Sequence, residues 1–211
     1  MSLRRHLAAM PLVAILRGLR PEEAPDAFAA LVKAGFRIIE VPLNSPRPFE
    51  SIAYLAGRAG ADQLIGAGTV LSVEEARAAR EAGARLMVAP NCDPLVIAAA
   101  EAHGMATLPG VATPSEGFAA LKAGADGLKL FPAELLPPAA IKAWRAVLPA
   151  GTLLLPVGGV TLANMADYVA AGADGFGIGG SLYKPGMTAQ ELGDKARAFV
   201  ERCRELFDLK S

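Results

Sequence analysis

The sequence predicts a (β/α)8 barrel, an α/β fold built as a single domain of 211 residues. Three observations predict it. Glycines recur at a near-regular period, short runs rich in Val, Ile and Leu recur with them, and helix-length segments with their own start signals fill the gaps. The glycines are Gly35, Gly60, Gly83, Gly104, Gly124, Gly151 and Gly172, spaced 20 to 27 residues apart. Three of their contexts nearly match: Glu81-Ala-Gly-Ala-Arg85, Lys122-Ala-Gly-Ala-Asp126 and Ala170-Ala-Gly-Ala-Asp174. Glycine just past a helix end closes the last turn. Each one therefore reads as a helix-to-strand junction, and the period reads as a repeated unit.

The apolar runs read as strands near residues 13–17, 38–43, 64–70, 86–90, 105–109, 127–131, 153–157 and 175–179. They are nearly continuously apolar, as parallel strands covered on both faces must be. Between them, Ser45-Pro46 puts proline at a first helical position, and Phe49, Ile52, Ala53 and Ala56 follow helical spacing. Ser72-Val-Glu-Glu75, Thr113-Pro-Ser-Glu116 and Thr188-Ala-Gln-Glu191 have the capping-box pattern. Eight βα units in this length fit a small barrel. A doubly wound open sheet is the structural alternative, but it does not need eight similar units. No G-x-G-x-x-G follows the first strand either.

No linker, charge block or low-complexity tract divides the chain, so one domain over residues 1–211 is expected. A short helical segment over about residues 1–10 would cap the barrel floor. Met1–Arg5 is basic and Leu7–Leu16 mostly apolar, which faintly resembles a secretion signal. Pro11 interrupts that run, and it lacks a small-residue cleavage site. It reads better as the first strand.

Lys and Arg balance Asp and Glu at 21 each, while 53% of residues are apolar. That excludes a disordered chain and argues against nucleic-acid binding, which needs excess positive charge. Two cysteines, Cys92 and Cys203, exclude a disulfide framework or a multi-thiolate metal site. His6 and His103 alone do not make a His-rich metal site. No apolar run approaches the ~20 residues that span a bilayer. The expectation is a soluble cytoplasmic protein with no metal, no cofactor, no membrane and no nucleic-acid partner.

In such a barrel the chemistry comes from the C-terminal ends of the strands and the loops that follow. Four strands carry a polar residue there: Arg17, Glu40, Thr69 and Lys129. Strand alternation sorts their directions. If Leu128 and Leu130 face the helices, Lys129 and Phe131 face the axis. If Ile39, Val41 and Leu43 face the helices, Glu40 and Asn44 face inward. A lysine and a glutamate would then share one confined cavity, although each is costly to bury alone. The lysine can also snorkel to the barrel mouth, or serve only as a structural partner of Glu40. Their place on opposed strands, on the inward face, favours chemistry. Desolvation frees a lysine amine near neutral pH, and a free amine attacks a ketone to form a Schiff base. The iminium is an electron sink for a neighbouring C–C bond, and a carboxylate can move the protons. This is the logic of a metal-free aldolase.

The second signal is glycine. Val157-Gly158-Gly159 follows the seventh strand, and Gly177-Ile-Gly-Gly-Ser181 follows the eighth. These are the two loops that commonly hold a phosphate in barrels. Backbone N–H groups and a following helix N-terminus favour an anion there, and Ser181 can donate a further bond. Paired glycines are also ordinary turn residues. Pro90 and Pro109 close strands and shape the rim, and Tyr183-Lys184 can flank an anion.

The residues now assembled are similar to the 2-keto-3-deoxy-6-phosphosugar acid aldolases, the KDPG/KDPGal aldolase family. The matching stretches are Val13-Ala-Ile-Leu-Arg-Gly18, Glu40-Val-Pro-Leu-Asn-Ser45, Ile65-Gly-Ala-Gly-Thr-Val70, Met105-Ala-Thr-Leu-Pro-Gly-Val111, Leu128-Lys-Leu-Phe-Pro132 and Pro156-Val-Gly-Gly159. The resemblance implies that Lys129 forms the Schiff base and Glu40 is the general acid/base. It implies that Arg17 and Thr69 help hold the substrate, with Thr69 near the pyruvate carboxylate. It places Phe131 near the Schiff base, and the phosphate on Gly158, Gly159, Gly179, Gly180 and Ser181. The family forms homotrimers and acts on a phosphorylated keto-deoxy sugar acid, releasing pyruvate and glyceraldehyde 3-phosphate. KDPG-type members tend to carry Thr-Leu-Arg-Thr after the glutamate and a threonine before the paired glycines. Here Asn44 lies in the first stretch and Val157 in the second, which resembles the galactonate-derived KDPGal branch. The alternatives are a KDPG or dual-specificity aldolase, a phosphosugar epimerase or isomerase, and a non-catalytic phosphosugar-binding barrel.

Overall fold

A computed structural model describes residues 3–209. The first helix, α1 (Leu3–Ala9), occupies the expected N-terminal segment, whose Met1 and Ser2 lie outside the described residues. Then follow β1 (Leu12–Ile15), α2 (Ala24–Ala34), β2 (Ile38–Pro42), α3 (Pro48–Arg58), β3 (Leu64–Gly68), α4 (Val73–Glu81), β4 (Leu86–Val88), α5 (Pro94–Ala102), β5 (Ala106–Leu108), β6 (Gly110–Val111), α6 (Pro114–Lys122), β7 (Gly127–Leu130), α7 (Pro138–Arg145), β8 (Leu153–Pro156), α8 (Met165–Ala170), β9 (Phe176–Ile178) and α9 (Ala189–Phe207). The alternation of strand and helix is the one expected.

Every strand pair is parallel. Six strands form one sheet in the order β5-β4-β3-β2-β1-β9, and three form another in the order β6-β7-β8. One uninterrupted ring of eight strands was expected. Instead the fifth predicted strand, 105–109, ends at Leu108, and Pro109, which has no N–H to continue a ladder, separates it from the short β6. β5 pairs with β4 and β6 with β7, and Lys129 N donates to Pro109 O at 2.9 Å. At the other seam the contact is a single parallel bridge, Val157 to Gly177.

The buried residues separate into two clusters. Leu12, Ala14, Ile39, Val41, Ala67, Met87, Leu128 and Leu154 pack against the helices. Val13, Ile38, Leu64, Leu86, Val88, Leu108, Leu153 and Leu155 fill the other side, with Leu3 and Leu7 of α1. Successive strand residues alternate between the two clusters, as the pleat requires. On the second face the covering comes from opposing strands and α1 alone, which does not fit the doubly wound alternative. Full burial of a leucine contributes about 1.5–3 kcal/mol, so Leu3 and Leu7 give α1 reason to close that end.

Two local expectations are corrected. The helix after β2 begins at Pro48, not at Pro46, because Ser45 is used elsewhere: its Oγ accepts from Gly18 N at 2.9 Å. Several strands also stop short of their predicted ends, so Arg17, Thr69, Pro90 and Gly179 stand in loops beyond the C-terminal edges. The capping boxes at Thr113 and Thr188 form as expected. At Ser72 the cap forms, but Glu75 takes the Leu71 N–H instead.

Candidate active site

Alternation puts Glu40 of β2 and Lys129 of β7 on the enclosed face, since Ile39, Val41, Leu128 and Leu130 belong to the helix-side cluster. Both side chains are buried, Glu40 at 1% exposed and Lys129 at 4%. Removal from water penalises the charged form of each. Burial therefore pushes the Glu40 carboxyl up to about 7, against the opposing pull of Lys129 and Arg17. The same burial pulls the Lys129 amine below the ordinary lysine range, partly offset by Glu40 and reinforced by the positive Arg17. Glu40 Oε2 has no hydrogen-bond partner. Among the described residues, no ion pair within 4.0 Å involves either side chain. Lys129 Nζ instead lies 4.7 Å from the centroid of the Phe131 ring.

A cavity of about 350 Å³ opens above Lys129. Its wall gathers most of the predicted site: Arg17, Lys129, Phe131, Val157, Gly158, Gly159, Gly179, Gly180 and Ser181. Glu40 lies behind this wall, with Oε2 the carboxyl oxygen that is fully buried without a partner. Asn44 joins the site through Arg17, whose Nη1 donates to Asn44 Oδ1 at 2.7 Å. Thr69 and Pro90 stand at the ends of β3 and β4, outside the wall. Thr69 holds a left-handed φ of 56°, a strained conformation for a β-branched residue.

The two glycine loops meet across the cavity. Gly158 and Gly159 hold φ of 97° and 63°, which side-chain-bearing residues rarely adopt. The N–H groups of Gly159, Val160, Gly180 and Ser181 donate to no acceptor among the described residues. Ser181 is not a free hydroxyl donor. Its Oγ donates to Val160 O at 2.8 Å and so ties one loop to the other. The expected helix N-terminus after the last strand is reduced to a single turn, with Leu182 N and Tyr183 N both donating to Gly179 O. The next helix starts only at Ala189.

This arrangement offers a buried amine, a buried carboxyl and an anion cradle in one place. The model of the KDPG and KHG aldolase family matches residues 3–197. The chain belongs to the KDPG and KHG aldolase family. It is 53% identical over 188 residues to the probable 2-dehydro-3-deoxy-6-phosphogalactonate aldolase of Rhizobium meliloti (strain 1021), covering 89% of each chain. It is 44% identical over 196 residues to the 2-dehydro-3-deoxy-6-phosphogalactonate aldolase of Escherichia coli (strain K12), covering 93% of this chain and 96% of that one. A solved structure described as native KDPGal superposes with a TM-score of 0.92 at 44% identity, covering 95% of this chain and 97% of the other.

Sequence reasoning passed over part of this aldolase-family site. Ile15, Val160 and Pro185 line the cavity unannounced, whereas Tyr183 and Lys184, expected to flank an anion, line it as well. Gly66 and Gly68 pair in register with Glu40 and Pro42, so they share the enclosed face. Their signal was their spacing of two within Ile65-Gly-Ala-Gly68, which marks one face of a strand. Glu134 presses on the paired glycines: a Cβ at Gly159 would lie 2.6 Å from Glu134 Cγ. Among the described residues, no cluster of His, Cys, Asp and Glu could hold a metal ion.

Proposed function

We propose that this chain is a class I aldolase that cleaves 2-dehydro-3-deoxy-6-phospho-D-galactonate to pyruvate and D-glyceraldehyde 3-phosphate. The observation that carries the reading is the convergence of a buried, destabilised Lys129 ammonium with a buried Glu40 carboxyl pushed up to about 7.

The neutral Lys129 amine attacks C2 of the keto acid and gives a carbinolamine. Glu40 donates its proton to the C2 hydroxyl, which leaves as water. An iminium and the Glu40 carboxylate remain. That carboxylate takes the proton of the C4 hydroxyl, the C3–C4 bond breaks, and its electrons enter the enamine. Glyceraldehyde 3-phosphate departs. The enamine takes a proton at C3 from Glu40, and hydrolysis frees pyruvate and restores both groups. The cycle closes without a metal ion, because the iminium supplies the electron sink.

The N–H groups of Gly159, Val160, Gly180 and Ser181 suit the phosphate. Arg17, held by Asn44, and Lys184 supply positive charge at the rim. Thr69 and Pro90 would contact substrate only from the strand ends beyond the wall. Val157 lines the cavity where a hydroxyl-bearing residue would read the substrate's own hydroxyls differently. With the names of the two relatives, this favours the galactonate-derived substrate. We also infer that the two sheets act as one (β/α)8 barrel in a single domain, since two seams alone interrupt the ring. The active form would be a cytoplasmic homotrimer, and sedimentation at micromolar concentration tests the trimer. Among the described residues, no helix is long and apolar enough to cross a membrane.

Incubation with pyruvate and borohydride, followed by mapping of the adduct, should label Lys129. A pyruvate-detecting coupled assay should then turn over the galactonate-derived substrate faster than its gluconate-derived epimer. Absence of the adduct would overturn the mechanism. A strong preference for the epimer would overturn the substrate choice.

A further inference from the structure

We infer that Gly68 is a positioning residue for the reaction: its missing side chain lets the Glu40 carboxyl lie against β3, with Oε2 sealed and Oε1 left to exchange protons with the cavity. The inference rests on the acid/base role proposed above for Glu40.

The geometry is specific. A Cβ built on Gly68 would lie 1.9 Å from Glu40 Oε2, 2.5 Å from its Cδ and 2.6 Å from its Oε1. No real Cβ tolerates such contacts, and all three nearest atoms belong to Glu40. The backbone at Gly68 is ordinary strand, so space and not φ demands glycine here. The register reinforces this, because Gly68 pairs with Pro42, two residues beyond Glu40 on the same face. The carboxyl is therefore backed by bare backbone where any other residue would put a methyl group or more. Oε2 is buried and has no hydrogen-bond partner. Proton exchange with substrate then falls to Oε1. The charged groups that act on the carboxyl are Lys129 from β7 and Arg17 from beyond β1.

An alanine at this position must push the carboxyl off β3, towards the cavity. The displaced group regains water, which relieves the desolvation that keeps it protonated. It also loses its alignment with the atoms bound to Lys129. Misplaced acid/base groups forfeit much of the ~10²–10⁴-fold that proton transfer contributes.

The test compares G68A, E40Q, E40A and the double variant E40A/G68A as full chains. For G68A we expect kcat to fall about 10²-fold with KM changed less than about twofold. The pH limb of kcat set by Glu40 should move towards acid. Pyruvate trapping on Lys129 by borohydride should persist. G68A should lower the thermal midpoint of the wild type but not that of E40A, where the colliding carboxyl is gone. Wild-type kcat with an unmoved limb in G68A would overturn the inference. So would an equal loss of thermal midpoint in the E40A background, even if G68A alone fails to fold. Wild-type kcat in E40Q would overturn the role of Glu40 itself, and this inference with it. Loss in E40Q with no change in G68A would overturn the inference alone.

Discussion

Replacing Glu40 by glutamine should stabilise the protein in a pH-dependent way. In the folded chain the Glu40 carboxyl is pushed up to about 7, from an ordinary value of 4.5. A folded-state value above the unfolded one means that the fold binds the proton more tightly. That contribution is fully present below pH 4.5 and is lost as pH rises through about 7. The interval is about 2.5 pH units, and each unit is worth ~1.4 kcal/mol, so the full loss is ~3.4 kcal/mol, of which ~3 kcal/mol falls between pH 4.5 and pH 8. Glu40 is 1% exposed, so solvent screening does not reduce the figure. E40Q cannot ionise. Its stability advantage over the wild type should therefore grow by ~3 kcal/mol between pH 4.5 and pH 8, then level off. Titrating groups that do not sense Glu40 cancel in the comparison, whereas Lys129, which Glu40 raises, shifts with it. At ~2–4 °C per kcal/mol for a chain of this size, the midpoints should separate by about 6–12 °C. Urea unfolding at a series of pH values, followed by the fluorescence of the buried Trp144, measures it directly. Two curves that run parallel across the whole range would refute the argument that Glu40 is buried against its own charge.

K129A should lose both turnover and borohydride trapping of pyruvate while keeping its far-UV circular dichroism; retained trapping would place the Schiff base elsewhere. N44A removes the acceptor that holds the Arg17 guanidinium. KM should rise about fivefold with a smaller change in kcat, equivalent to ~1 kcal/mol for a charge-assisted bond at an exposed site. G159A forces a side chain into φ 63° and onto Glu134, which costs ~1–2 kcal/mol in the left-handed region. KM for the phosphorylated substrate should rise about tenfold, while pyruvate trapping on Lys129, which needs no phosphate, should proceed unchanged.

Much of this was legible in the sequence because strand alternation is a strict rule. Leu128 and Leu130 on one face leave Lys129 and Phe131 no choice but the other, and the same holds for Glu40 between Ile39 and Val41. The glycine period located the helix-to-strand junctions for the same reason: a left-handed turn is cheap for glycine and costly for other residues. What stayed hidden depends on partners distant in sequence. Nothing local says that Pro109 separates strands of two sheets, or that Ser45 leaves its helix to bind Gly18 N. The Ser181 hydroxyl read as free, because its bond to Val160 O is a tertiary contact across 21 residues. Thr69 and Pro90 stand in loops, because β3 and β4 end sooner than their apolar runs suggest. Gly68 reads as a plain strand glycine until Glu40 is packed against it.

A structural reading of the Lys129–Glu40 pair must explain why it is so poor as a structural pair. Two buried ions repay their lost hydration only through close contact and full hydrogen bonding. Here no oxygen of Glu40 forms an ion pair with Lys129 within 4.0 Å, and Oε2 bonds to nothing. An unmade bond at a buried polar atom costs about 1–3 kcal/mol, and a well-packed apolar pair would avoid it. The same features become useful once a keto acid lies between the two groups. Burial favours the neutral amine, the form that attacks a carbonyl. It also favours the protonated carboxyl, the form that expels water from a carbinolamine. One physical cause, exclusion of water, thus sets opposite charges of the pair towards the two uncharged states that the first steps need. The neighbouring Arg17 sharpens the asymmetry, because its positive charge disfavours the ammonium while it tempers the rise at Glu40. A keto acid held at Lys129 would offer the pair the hydrogen-bond partner that the protein itself does not.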